Sequence, residues 1–80
     1  MKADIEDFET GWYGLTLGLK SNEIEQLIAT LQDLKKEKTH FHFRSDFKGT
    51  AGVGDIEFYF QADDQSSNLE IESSCANLSK

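Results

Sequence analysis

The sequence predicts an α+β domain of two layers, one helix packed on a mostly antiparallel sheet of four to five strands, in the order ββαβββ. Three observations predict it: strict alternation in residues 12–19, an apolar stripe at helical spacing from Ile24 to Leu34, and alternating segments on either side of a glycine-rich loop.

In residues 12–19, Tyr13, Leu15, Leu17 and Leu19 point one way and Trp12, Gly14, Thr16 and Gly18 the other, the pattern of a half-buried strand. Ahead of it, Ile5 and Phe8 lie in a short polar segment that ends in Glu9-Thr10-Gly11. A three-residue loop with Gly11 in the left-handed conformation would make these two segments a hairpin. Ser21-Asn22 then opens a helix, because either side chain can accept from the free backbone N–H groups of a first turn, and Glu23 and Glu25 suit the positive end of its dipole. Ile24, Leu27, Ile28, Leu31 and Leu34 form one stripe, and Lys35, Lys36 and Lys38 set positive charge at the negative end.

Three strands are expected after the helix. Residues 39–44 put Phe41 and Phe43 inward and His40, His42 and Arg44 outward. Residues 55–61 put Ile56, Phe58 and Phe60 inward and Glu57, Tyr59 and Gln61 outward. Residues 68–73 put Leu69 and Ile71 inward and Glu70 and Glu72 outward. The connections, 46–54 and 62–67, are short enough for an antiparallel meander, and the strand before the helix would join the same sheet by a right-handed crossover if it ran parallel to the strand after it.

With 80 residues the chain is expected to be one domain, small enough for dimerisation through a sheet edge or an open face to supplement its core. Eight Lys and Arg against 15 Asp and Glu leave a net charge of −7, a field that repels phosphate backbones and attracts a basic protein; nucleic acid is not an expected partner. Cys75 is the only cysteine, which excludes an intrachain disulfide and a cysteine zinc cluster and suits a reducing cytosol. No signal peptide is visible, and no apolar run approaches the roughly 20 residues that span a bilayer, so a cytoplasmic protein with no membrane partner is expected.

Function is sought on the open sheet face, where His40, His42, Arg44, Glu57, Tyr59, Glu70 and Glu72 are the expected partner-contacting residues, with Trp12 at a margin. Tyr, Trp and Arg are enriched at binding hot spots, while cross-strand charge pairing accounts for such a face without any partner. His40 and His42, two apart on a strand, place both imidazoles on one side, half of a zinc site whose third ligand would come from Glu57, Glu70 or Asp46; the spacing alone does not carry a metal, and no cofactor is expected. Glu70 and Glu72 share a side at about 7 Å by strand rise, a spacing compatible with acid–base work but with no visible pocket. The segment Gly49-Thr50-Ala51-Gly52-Val53-Gly54 has the glycines of a phosphate loop, yet a strand follows it rather than a helix N-terminus, so it reads as a hairpin loop that can contact a partner. Cys75 has no base near it in sequence, and catalysis is not expected.

Three pieces, Glu9-Thr10-Gly11 in the first hairpin, Ser21 to Leu34 as a helix rich in Leu, Ile and Glu, and the strand His40-Phe41-His42-Phe43, resemble the small immunity proteins of bacterial polymorphic-toxin systems, in particular the immunity protein 32 family, over about residues 2–50. The chain departs from that pattern at Phe47-Lys48-Gly49, where the family has a Trp-Gly pair, and residues 55–73 carry no family motif. The resemblance implies a non-catalytic protein that binds and neutralises a cognate toxin. The alternative reading is an orphan domain, of the kind carried on mobile cassettes, that forms a homodimer or binds a small ligand.

Overall fold

The computed structural model describes residues 1–72. Strand β1 (Lys2–Asp7) pairs antiparallel with β2 (Tyr13–Gly18), helix α1 (Ser21–Glu37) follows, and β3 (His40–Arg44) pairs antiparallel with β4 (Asp55–Tyr59). The α+β class is as expected. The single sheet is not: the four strands form two separate two-stranded sheets, and β2 does not pair with β3.

The first hairpin turns where the sequence places it. Phe8 N–H donates to the Trp12 carbonyl at 3.1 Å, so that residues 9–11 form the loop. Gly11 takes φ 93° and Glu9 takes φ 58°, and Glu9 N–H donates to Asp7 Oδ1 at 2.8 Å. The pairs Ala3 with Leu17, Ile5 with Leu15 and Asp7 with Tyr13 set the apolar side chains on one face. Across the opposite face the Phe8 ring lies over Gly14, where a Cβ would come within 2.8 Å of its tip.

Helix α1 runs without Gly or Pro from Ser21 to Glu37. Its cap is Lys20 rather than Ser21 or Asn22: Lys20 has extended backbone, and its N–H donates to Glu23 Oε1 at 2.9 Å. The other half of a capping box is missing, because a lysine side chain has no acceptor to offer. Glu23 Oε2 meets the Met1 amino group at 2.6 Å. The hydrogen bond from Lys20, seconded by that amino group, holds the Glu23 carboxyl below its ordinary value. At the other end Lys38 closes the helix in the left-handed conformation, φ 54°, with its N–H on the Leu34 carbonyl at 2.8 Å, and its Nζ stands 5.4 Å over the Phe60 ring.

The β3–β4 hairpin carries the strongest packing. Phe41 stacks on its cross-strand partner Phe58 at 5.0 Å between ring centres, and Phe43 meets both edge-on at 5.5 and 5.3 Å. Such aromatic pairs add about 0.5–1.5 kcal/mol each beyond their burial. Ser45 N–H to the Gly54 carbonyl and Phe60 N–H to the Thr39 carbonyl extend the ladder at both ends. In the loop between the strands, Phe47 N–H donates to Ser45 Oγ and Lys48 N–H to Asp46 Oδ1. The Phe47 ring covers Gly54, where a Cβ would lie 2.7 Å from it.

The layers close incompletely. Helix α1 touches β3, with Leu27 and Thr30 facing Phe41 and Phe43 across a cleft of about 380 Å³. The apolar faces of the two hairpins converge on Val53 and Ile56, with Ile5, Tyr13 and Leu15 on the far wall of a crevice of about 490 Å³. Leu17, Leu27, Leu34, Phe41, Phe43, Val53, Ile56, Phe58 and Phe60 are half-buried, and none of the described residues is fully buried. Parallel pairing of β2 with β3 would need the helix to seat on both strands, and it seats chiefly on β3. Glycines at positions 14 and 18 weaken β2 further as a sheet-forming edge.

The strand expected at 68–73 does not form over its described part, residues 68–72; Ser73 lies outside the described residues. Leu69 is 84% exposed and Ile71 91% exposed. Two apolar side chains in a segment that enters through Asp63, Asp64, Ser66, Ser67 and Asn68 bury too little to offset the entropy of ordering a strand.

Two outcomes follow. In urea titrations Phe58→Ala lowers stability by about 2–3 kcal/mol, the cost of truncating a partly covered core aromatic, whereas Leu69→Ala changes it by less than about 0.5 kcal/mol; equal losses would place the last segment in the sheet. Because the Glu23 carboxyl is depressed, its contribution is complete above its ordinary value of 4.5 and disappears as pH falls through the lower folded value. Thermal melts from pH 6 to pH 3 are therefore expected to fall less steeply for Glu23→Gln than for the natural chain.

Candidate functional site

Register builds a polar face on the β3–β4 hairpin. His40 lies opposite Tyr59, His42 opposite Glu57, and Arg44 opposite Asp55, so all six belong to one side of the two-stranded sheet, away from Phe41, Phe43, Ile56 and Phe58. Five of the seven expected contact residues are thus brought together: His40, His42, Arg44, Glu57 and Tyr59. The strand expected to carry Glu70 and Glu72 onto this face does not form over its described part, and their spacing as a strand carboxylate pair disappears with it. Trp12 stands on the other hairpin and is 76% exposed. Cys75 lies outside the described residues.

Asp55 organises this face, and the sequence reading passed over it. Its carboxylate accepts from His42 Nδ1 at 3.0 Å (Oδ1) and 3.1 Å (Oδ2), and Arg44 Nε donates to Oδ1 at 3.1 Å. The cross-strand charge pairing anticipated with the glutamates is made by this aspartate instead. The signal was available: Asp55 has the same parity as Glu57 and Tyr59 in an alternating strand. Partial desolvation pushes the Asp55 carboxyl up, but the hydrogen bonds from His42 and Arg44, and their charges, outweigh it and leave it below its ordinary value.

His40 and His42 stand edge to face, ring centres 5.3 Å apart. One donor atom from each of His40, His42 and Glu57 lies within 4.8 Å of the others. Only His42 of the three is partly covered; His40 and Glu57 are exposed.

A second surface is apolar. Ile24, Ile28 and Leu31, spaced four and three apart, form an exposed ridge on α1, and Ile5, Tyr13 and Leu15 are exposed on the β1–β2 face. The helical stripe is expected to pack on the sheet as a whole; the structure half-buries Leu27 and Leu34 and leaves the ridge open. The loop at 46–54 adds Phe47, also exposed.

The Asp55 carboxyl is expected to titrate with a midpoint below its ordinary 3.8 when its carbon resonance is followed by NMR. Arg44→Ala should raise that midpoint; an unchanged midpoint would show that the pairing is absent in solution. Among the described residues no helix is long and apolar enough to cross a membrane. Comparison with models of protein families, with curated proteins and with solved structures gives no match.

Proposed function

We propose that this chain is a small, non-catalytic, cytoplasmic protein-binding domain of the immunity type, which completes its core against a basic protein partner such as a cognate toxin. The observation that carries the reading is the unfinished core: no described residue is fully buried, while apolar side chains form continuous open surfaces on α1 and on the β1–β2 face. Exposed apolar area of this extent marks an interaction surface. The net charge of −7 supports a basic partner by steering and complementarity. The resemblance of residues 2–50 to immunity proteins supports a toxin as that partner. Tyr59, Arg44, His40, His42 and Glu57 form the polar part of the contact surface.

A second reading is the homodimer: the two separate two-stranded sheets leave strand edges open to pairing, and the exposed ridge of Ile24, Ile28 and Leu31 offers a face to a second copy.

Sedimentation equilibrium with and without the product of the neighbouring gene separates the two. The first reading expects a monomer that binds a hydrophobic dye, loses that dye binding on forming a complex, and loses affinity at least tenfold in a Glu57→Ala/Tyr59→Ala double variant. The second expects a dimer that Ile28→Lys dissociates. A monomer that unfolds cooperatively and binds no dye would refute both.

A further inference from the structure

We propose that His40, His42 and Glu57 form a binding site for a late first-row divalent cation, zinc being the probe, on the outward face of the β3–β4 hairpin. The donor set is two imidazoles and one carboxylate, which suits zinc rather than calcium or magnesium. Strand alternation puts both imidazoles on one side, and the register brings Glu57 directly opposite His42. A tetrahedral ion holding its ligands at about 2.0–2.1 Å separates them by about 3.3 Å. The donors already lie within 4.8 Å of one another, so side-chain rotation closes the remaining distance without moving the strands.

A second, independent observation points to a metal. Histidines that ligate metals characteristically give their other ring nitrogen to a carboxylate, which fixes the tautomer and the ring. His42 does this: Nδ1 contacts both oxygens of Asp55 at 3.0 and 3.1 Å, and Arg44 Nε anchors the same carboxylate at 3.1 Å. A carboxylate only accepts, so Nδ1 carries a proton, and in the neutral imidazole Nε2 is the nitrogen that would meet a metal. Arg44 is engaged with Asp55 at 3.1 Å, and the net charge of −7 favours a positive ion. The rings of His40 and His42 stand edge to face with centres 5.3 Å apart, close enough for one ion to reach both. Three protein ligands leave a fourth position for water or for a donor from a bound protein, and an ion there would tie β3 to β4.

The test is calorimetric titration of zinc chloride into the full chain, with histidine ring resonances followed by NMR. The expected result is saturable binding at one ion per chain with shifts at His40 and His42. His40→Ala and Glu57→Gln should each weaken binding at least tenfold, and Asp55→Asn about 10–100-fold through the outer shell. Glu70→Gln should leave it unchanged. Should a variant fail to fold, as judged by its circular dichroism, the ring shifts in the natural chain decide alone. Absence of a saturable phase, ring signals that ignore zinc, or equal affinity in folded variants and natural chain would overturn the proposal.

Discussion

The reach of a single helix governs this structure. Helix α1 half-buries only part of its apolar stripe, Leu27 and Leu34, and it packs against β3. An element of this width covers one hairpin, and here it covers the one with the denser aromatic content, Phe41, Phe43 and Phe58. The β1–β2 hairpin must then find its partners elsewhere. It leans toward Val53 and Ile56 with Ala3, Ile5 and Leu15, and part of its apolar face remains in water. The open crevices, the half-buried core and the separate sheets all descend from that one limitation.

Local pattern carried much of the fold. The period of residues 12–19 gave β2, the loop 9–11 turned at Gly11, the helix stripe gave α1, and the alternation of 39–44 and 55–61 put Phe41, Phe43, Ile56 and Phe58 on one face. These features are set within a few residues by period and turn chemistry. What escaped was non-local. Whether β2 pairs with β3 depends on where the helix docks, and whether Leu69 and Ile71 form a strand depends on an edge being available to receive them. Neither is written in alternation. The cap was missed for a different reason: Glu23 supplies the acceptor from inside the helix, so the residue at the cap itself needs no oxygen and can be Lys20.

The candidate site was legible to a similar degree. Parity alone sorted His40, His42 and Arg44 from the two phenylalanines, and Glu57 and Tyr59 from Ile56 and Phe58. Partner identity was not, because a residue opposite in register need not be the one that bonds: His42 faces Glu57 and yet bonds diagonally to Asp55. Long side chains on a twisted two-stranded ribbon reach such diagonal neighbours readily. Glu70 and Glu72 were assigned to the same face on the strength of a strand that did not form, so they were lost together.

The division into two ladders also shapes how the chain acquires its structure. Every strand pairing joins segments close in sequence, Lys2 with Gly18 at the widest point of one hairpin and His40 with Tyr59 in the other. Loop closure is therefore inexpensive throughout, and each hairpin can nucleate without waiting for the other. Among the described residues no long-range ladder has to zip before the rest can proceed. The chain can emerge from synthesis with its hairpins already made, leaving only the apolar surfaces between and around them to be matched last.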